Sequence, residues 1–321
     1  MTKSLGDFRA ALLAGWVALG TAGFLYARIK GIPIWAAIPG VAAFLVTYPF
    51  YLVPAFSDLR ERLTGVRFVI YLVAAAVLPY MACACGAVRF QWIGLAKLSA
   101  MALGFGLWYL LLPASWLADL AFLAFIPAVL LSKFFSTIYI PQYPGLKDLV
   151  ILGHLALIEI VVMVLLVARR VKETGYGFLP NPNEWRIGVL HFLCFIPIGL
   201  PLALALKAVH FAPAAPIWKI VGTFLGFLWV LALSEEFFFR GVLQQWIEDW
   251  TGNRAGALAI TSCVFGLVHL GFGGRFPNWP WVAVAAVLGW FCGHARNQAG
   301  SIRAGMVTHA LVVTTWRAFF A

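Results

Sequence analysis

The sequence predicts an all-α fold: a polytopic transmembrane helical bundle of about ten or eleven spans. Two observations carry the prediction. Of the 321 residues, 63% are hydrophobic and 11% charged, and mean hydropathy is +0.92, whereas a soluble domain carries about 25% charged residues. Apolar runs of roughly 18 residues or more also recur along the chain, each long enough as a helix to cross about 30 Å of hydrocarbon. A transmembrane barrel would instead alternate apolar and polar residues in segments of about 10.

Taken in order, the spans are predicted at 10–27, 33–55, 68–88, 93–112, 116–132, 148–168, 187–206, 217–240, 255–271, 281–295 and 303–320. Pro113, Pro141 and Pro144 fall between spans, where helices end. The first run is long enough to be an uncleaved span rather than a signal peptide. Arg60, Arg62 and Arg67 make one loop basic, and Arg169, Arg170, Lys172 and Arg186 make another. Four spans separate these loops, so both lie on one side. Lys3 and Arg9 put the N-terminus there too, which the positive-inside rule makes cytoplasmic, in the cell (inner) membrane. The second loop holds Pro180 and Pro182 around Asn181 and divides the chain into an N-terminal part, 1–183, and a C-terminal part, 184–321.

The net charge of +11 does not point to nucleic acid. The basic residues sit at the ends of apolar runs, as membrane anchors do, and the 14 tryptophans suit membrane interfaces. Five cysteines, Cys83, Cys85, Cys194, Cys263 and Cys292, lie inside apolar runs and read as small packing residues, without a disulfide framework or a zinc site. In the N-terminal part the main intramembrane polar residues are Lys97, His154 and Glu159. His154 and Glu159 are about 140° apart around a helix, so each needs its own partner on a neighbouring helix. There is no internal repeat of the kind that marks many transporters.

Intramembrane ionisable residues are costly and are functional candidates by default. The C-terminal part concentrates them in Glu235, Glu236, Arg240, His269 and His309, with His294 and Arg296 closing one span. Glu236 and Arg240 stand at i and i+4, so they share a helix face and can pair, with Gln244 one turn further. Glu235 is turned about 100° away and faces a different environment. Phe265 and His269 are again i and i+4, and His309 lies on a third helix. If these helices converge, Glu235 and one histidine can activate a water while the other histidine donates to a developing oxyanion. Phe237, Phe238, Phe239 and Phe265 read as packing. Two histidines and a carboxylate can also bind zinc, but there is no H-E-x-x-H pair, and the arrangement requires no metal or other cofactor.

The ordered set Glu235-Glu236-x-x-x-Arg240, Phe265-x-x-x-His269 and His309, with Gly300–Leu311 leading to the last motif, resembles the CAAX protease and bacteriocin-processing family of glutamate-dependent intramembrane endopeptidases. The resemblance covers about residues 184–321. It implies that Glu235 activates the water, that His269 helps hold it and that His309 contributes to an oxyanion hole. Glu236, Arg240 and Phe265 would support the site. The family's last motif continues to Asn or Asp four residues after the histidine; here that position is Val313, which cannot donate a hydrogen bond. The expected activity is hydrolysis of a peptide bond in a membrane-associated peptide or protein by direct water attack. The partners are then that substrate and the lipid bilayer, with no nucleic acid. Two alternatives stand beside it: a non-catalytic member of the same fold serving as an immunity or scaffold protein, and a proton-coupled transporter.

Overall fold

The structure, a computed structural model, describes residues 5–212 and 216–320. Lys3, one of the cations used to orient the N-terminus, lies outside the described residues. Helices dominate, and among the described residues there is no strand, only two isolated β-bridges, Val88 with Pro141 and Phe211 with Phe320. The chain divides into two compact units, Met1–Val171 and Lys172–Ala321.

Seven helices among the described residues are long and apolar enough to span a bilayer, fewer than the ten or eleven predicted. The other four runs fall short for identifiable reasons. Trp116–Leu131 and Arg254–Leu267 are apolar but only 16 and 14 residues long. Trp279–Ala299 and Ile302–Phe319 are long enough, but Arg296, His294, Arg303, His309 and Arg317 dilute their apolar character. Large apolar side chains face outward across the spans: Leu131 is 82% exposed and Trp92 75%. Such a surface belongs in lipid, and the chain is an integral membrane protein.

The first unit contains helices Leu5–Ile29, Ile34–Leu52, Gly65–Ala84, Trp92–Leu111 and Trp116–Leu131, then a helical run over Pro144–Ala168. Its buried polar centre was not anticipated. Arg169, read from the sequence as a loop anchor, grips the buried carboxylate of Asp119 with two bonds, Nε to Oδ1 and Nη2 to Oδ2, each 2.8 Å. Tyr109 donates to the same Oδ1 at 2.8 Å. His154 bonds within its own helix, through Nδ1 to the Val150 carbonyl at 3.0 Å, and packs on Phe135. Glu159 is buried beside Tyr71.

The second unit begins with a loop stitched to its own helices. The Ile302 amide donates to the Thr174 carbonyl at 3.1 Å, and the Trp229 indole donates to the Phe178 carbonyl at 3.0 Å. Asn181 then caps helix Pro182–Ala205 in a full capping box. Its Oδ1 accepts from the Glu184 amide, while Glu184 Oε2 accepts from the Asn181 amide. Proline in the first helical turn needs no amide partner there, so the Asn-Pro pair starts the helix five residues before the predicted span. Glu184 also receives Arg303 Nη2 at 2.8 Å, tying this helix to Ile302–Phe319. Long helix Ile217–Thr251, Arg254–Leu267, Trp279–Ala299 and Ile302–Phe319 complete the unit, the last two packed on each other and on Pro182–Ala205.

Breaking a buried pair leaves one charge uncompensated, at about 3–5 kcal/mol. Arg169→Ala is therefore expected to destabilise the protein by about 3 kcal/mol, more than Asp119→Ala, because only the arginine deletion strands a buried carboxylate. Thermal unfolding in detergent micelles compares the two.

Candidate functional site

Helix Ile217–Thr251 is not uniformly α-helical. It is π-helical over Phe227–Ala232 and again over Phe237–Leu243, with the α turn Leu233–Glu236 between them. π turns bond i to i+5 and are found most often as local insertions at functional sites. They alter the angular spacing of the side chains, so ideal α-helix geometry alone does not place Glu235 and Glu236.

Arg240 and Glu236 pair as expected: Nη1 donates to Oε1 at 3.1 Å, with both side chains fully buried. Burial of two charges is costly unless their remaining polar atoms are also met, and among the described residues Arg240 Nε and Glu236 Oε2 have no hydrogen-bond partner. Arg240 Nη2 donates to the Gly289 carbonyl at 3.0 Å, and its guanidinium lies over the Phe265 ring, 4.3 Å from the centroid. Phe265 is thus the aromatic floor of a buried cation as well as a packing residue.

Glu236 Oε1 has a second partner, His309 Nδ1 at 2.9 Å. With Glu236 ionised against Arg240, the carboxylate can only accept, so Nδ1 carries the hydrogen. That leaves Nε2 as the other polar atom of the ring. It lies 3.8 Å from Glu235 Oε2, too far for a hydrogen bond and close enough for both atoms to touch one water. His269 is oriented independently: its Nδ1 donates to the Phe265 carbonyl at 2.8 Å, and its ring packs on Phe265.

Glu235, His269 and His309 all line one cavity of about 380 Å³. The structure therefore brings the three predicted residues together, while Glu236 and Arg240 sit behind them in the packed interior. The remaining walls are mostly apolar and aromatic, with Phe195, Phe272, Trp281 and Trp316 prominent. Val313 lines the same cavity. The nearby threonines do not replace it: Thr308 donates to the Gly188 carbonyl at 2.9 Å, and Thr314 lines a different cavity.

Two contributors were not anticipated. Cys292, read as packing, is buried with its sulfur among the donor atoms of Glu236 and His309, all within 4.8 Å of one another. This trio differs from the two-histidine set considered for zinc. As a metal site it would have to share Glu236 with Arg240, whose charge opposes a cation there. Gly305 is the other: a Cβ at this position would stand 2.8 Å from Glu236 Oε2 and 3.0 Å from the Cys292 carbonyl. It lies four residues before His309, on the same helix face, a spacing visible in the sequence. Cys292 carried no such signal.

Arg240→Ala leaves Glu236 buried against His309 alone and is expected to cost about 3–5 kcal/mol. Arg240→Lys should recover only part of this, because a point-charge ammonium cannot reach both the carboxylate and the Gly289 carbonyl. Unfolding midpoints of the two variants check the ordering.

Among known proteins, residues 216–315 match the family model described as type II CAAX prenyl endopeptidase Rce1-like. The matched stretch contains Glu235, Glu236, Arg240, Phe265, His269, His309 and Val313, so the resemblance read from the motifs holds for this part of the chain. The comparisons with curated proteins and with solved structures found no match.

Proposed function

We propose that the C-terminal part, residues 184–321, is a glutamate-type intramembrane endopeptidase acting on a membrane-associated peptide or protein. The observation that carries this reading is the convergence of Glu235, His269 and His309 on one cavity. The similarity of residues 216–315 to CAAX-type proteases supports it.

In this mechanism a water sits between Glu235 Oε2 and His309 Nε2. His269 Nε2 accepts a hydrogen bond from that water, since its Nδ1 hydrogen is spent on the Phe265 carbonyl. Glu235 takes a proton as the water oxygen attacks the scissile carbonyl carbon. The carbonyl π electrons move to oxygen, giving a tetrahedral oxyanion. Glu235 then passes its proton to the amide nitrogen, the oxyanion re-forms the carbonyl as the C–N bond breaks, and a carboxylic acid and an amine leave, the acid giving up its proton to the amine. No covalent enzyme intermediate forms, and no metal is required. A protonated His309 donates Nε2–H to the oxyanion, and its charge is balanced by the surplus carboxylate of the cluster. Glu236 and Arg240 act by holding His309 in this orientation.

The N-terminal part, 1–183, has no role in the reaction as written. The basic loops are read as cytoplasmic, with the N-terminus on the same side, in the cell (inner) membrane.

Val313 favours a second reading, in which the chain keeps the fold as an immunity or scaffold protein without turnover. A hydrogen-bond donor in an oxyanion hole is worth about 10²–10³ in rate, and valine supplies none.

Glu235→Gln is expected to lower peptide cleavage by at least about 10³-fold while leaving the unfolding midpoint within a few degrees. Undiminished cleavage would sink the proposal. Val313→Asn is expected to raise the cleavage rate by about 10²-fold, measured on the same peptide by mass spectrometry. If Val313→Asn and the parent chain are both silent on every membrane-anchored peptide tried, the scaffold reading takes its place.

A further inference from the structure

We infer that a second cavity in the C-terminal unit binds the phosphate of an anionic phospholipid. This cavity, of about 510 Å³, is lined by Lys219 and Ile220 near the start of helix Ile217–Thr251, by Thr223 and Phe227, and by Thr314 and Arg317 near the end of helix Ile302–Phe319. Two cations from different helices thus border one space. Among the described residues neither Lys219 nor Arg317 forms an ion pair. Arg317 is held in place by its own neighbour, its guanidinium 4.6 Å from the centre of the Trp316 ring. Thr314 is 8% exposed, and its buried hydroxyl oxygen has no hydrogen-bond partner. An oxyanion would satisfy both cations and give this hydroxyl an acceptor.

The charge distribution points to the same ligand. Residues 185–234 and 250–321 contain no aspartate or glutamate. Lys207, Lys219, Arg275 and Arg317 therefore all lie in stretches without an acidic side chain. Clustered basic residues at a membrane surface attract anionic headgroups. The apolar walls, Ile220, Phe227 and Phe320, suit an amphiphile rather than a bare ion. Phe227, Trp316, Arg317 and Phe320 line both this cavity and the one containing Glu235. A bound lipid would thus form part of the wall of the candidate active site, although the binding itself is independent of any chemistry at Glu235.

The test uses the full chain, stripped of lipid and reconstituted with equal phosphatidylglycerol and phosphatidylcholine; retained lipid is counted by native mass spectrometry. At least tenfold preference for phosphatidylglycerol is expected, falling to within about twofold in Lys219→Gln/Arg317→Gln and unchanged in Lys207→Gln. Thr314→Val, which keeps both charges and the side-chain shape, should lose part of the preference and guards against misfolding of the double variant. Absence of a preference, or one that survives the double variant, overturns the proposal. Two competition arms identify other sources of the anion. Displacement of the lipid by equimolar inorganic phosphate would assign the site to a soluble ion. Displacement by an apolar peptide with a free C-terminal carboxylate, and not by its amide, would assign it to substrate. Either result removes the lipid assignment.

Discussion

The second unit is organised around one buried guanidinium. Arg240 is fully enclosed and therefore needs a carboxylate, a carbonyl and an aromatic face at fixed positions, which Glu236, Gly289 and Phe265 supply from three helices. The carboxylate comes from the same helix, while the carbonyl and the aromatic face each constrain a contact with another helix. Glu236 in turn needs the empty space at Gly305 on a fourth helix. The packing of the candidate site follows from keeping one cation satisfied in a medium where an unsatisfied one would be prohibitive.

That arrangement also separates two carboxylates adjacent in sequence. Glu236 is committed through Oε1 to Arg240 and His309 and has no exposure, whereas Glu235 is partly exposed and lines the cavity. His309 joins them, with one nitrogen on the structural carboxylate and the other facing the one assigned the chemistry. Orientation of a functional imidazole through its second nitrogen is a general device for fixing a tautomer, and here the orienting group is itself fixed by a buried salt bridge.

Much of the site was legible because charged residues inside apolar helices stand out against their surroundings. Glu235, Glu236, Arg240, His269 and His309 needed no more than hydropathy and helical spacing to be singled out. The fold class was legible on the same grounds. What escaped were features that leave no such contrast. Cys292 resembles any apolar packing residue until its neighbours are known. Arg169 looked like one more loop cation, because the Asp119 it grips lies 50 residues away. The span count differs because Trp116–Leu131 and Arg254–Leu267 are shorter than a full crossing and the last two helices carry several arginines and histidines. The π-helical turns were hidden because their side-chain pattern differs little from that of an α-helix over so few residues.

Those turns bear on which changes the chain can absorb. Around Phe237–Leu243 the backbone holds a residue more than an α-helix of the same length would need. Loss of one residue there would let the helix close to ordinary α geometry with its two halves near their present angular relation, because the bulge is what absorbs the extra residue. Gln244, which reaches Asn297 at 3.0 Å, lies beyond the bulge and would stay on the same side of the helix. Substitutions in this stretch act locally, through whatever side chain is altered. A single-codon deletion is a different class of lesion, since it removes one of the positions between Glu236 and Gln244 and shifts the others within the bulge. Within these seven residues the placement of Arg240 is therefore under tighter constraint than the angular relation of the two halves.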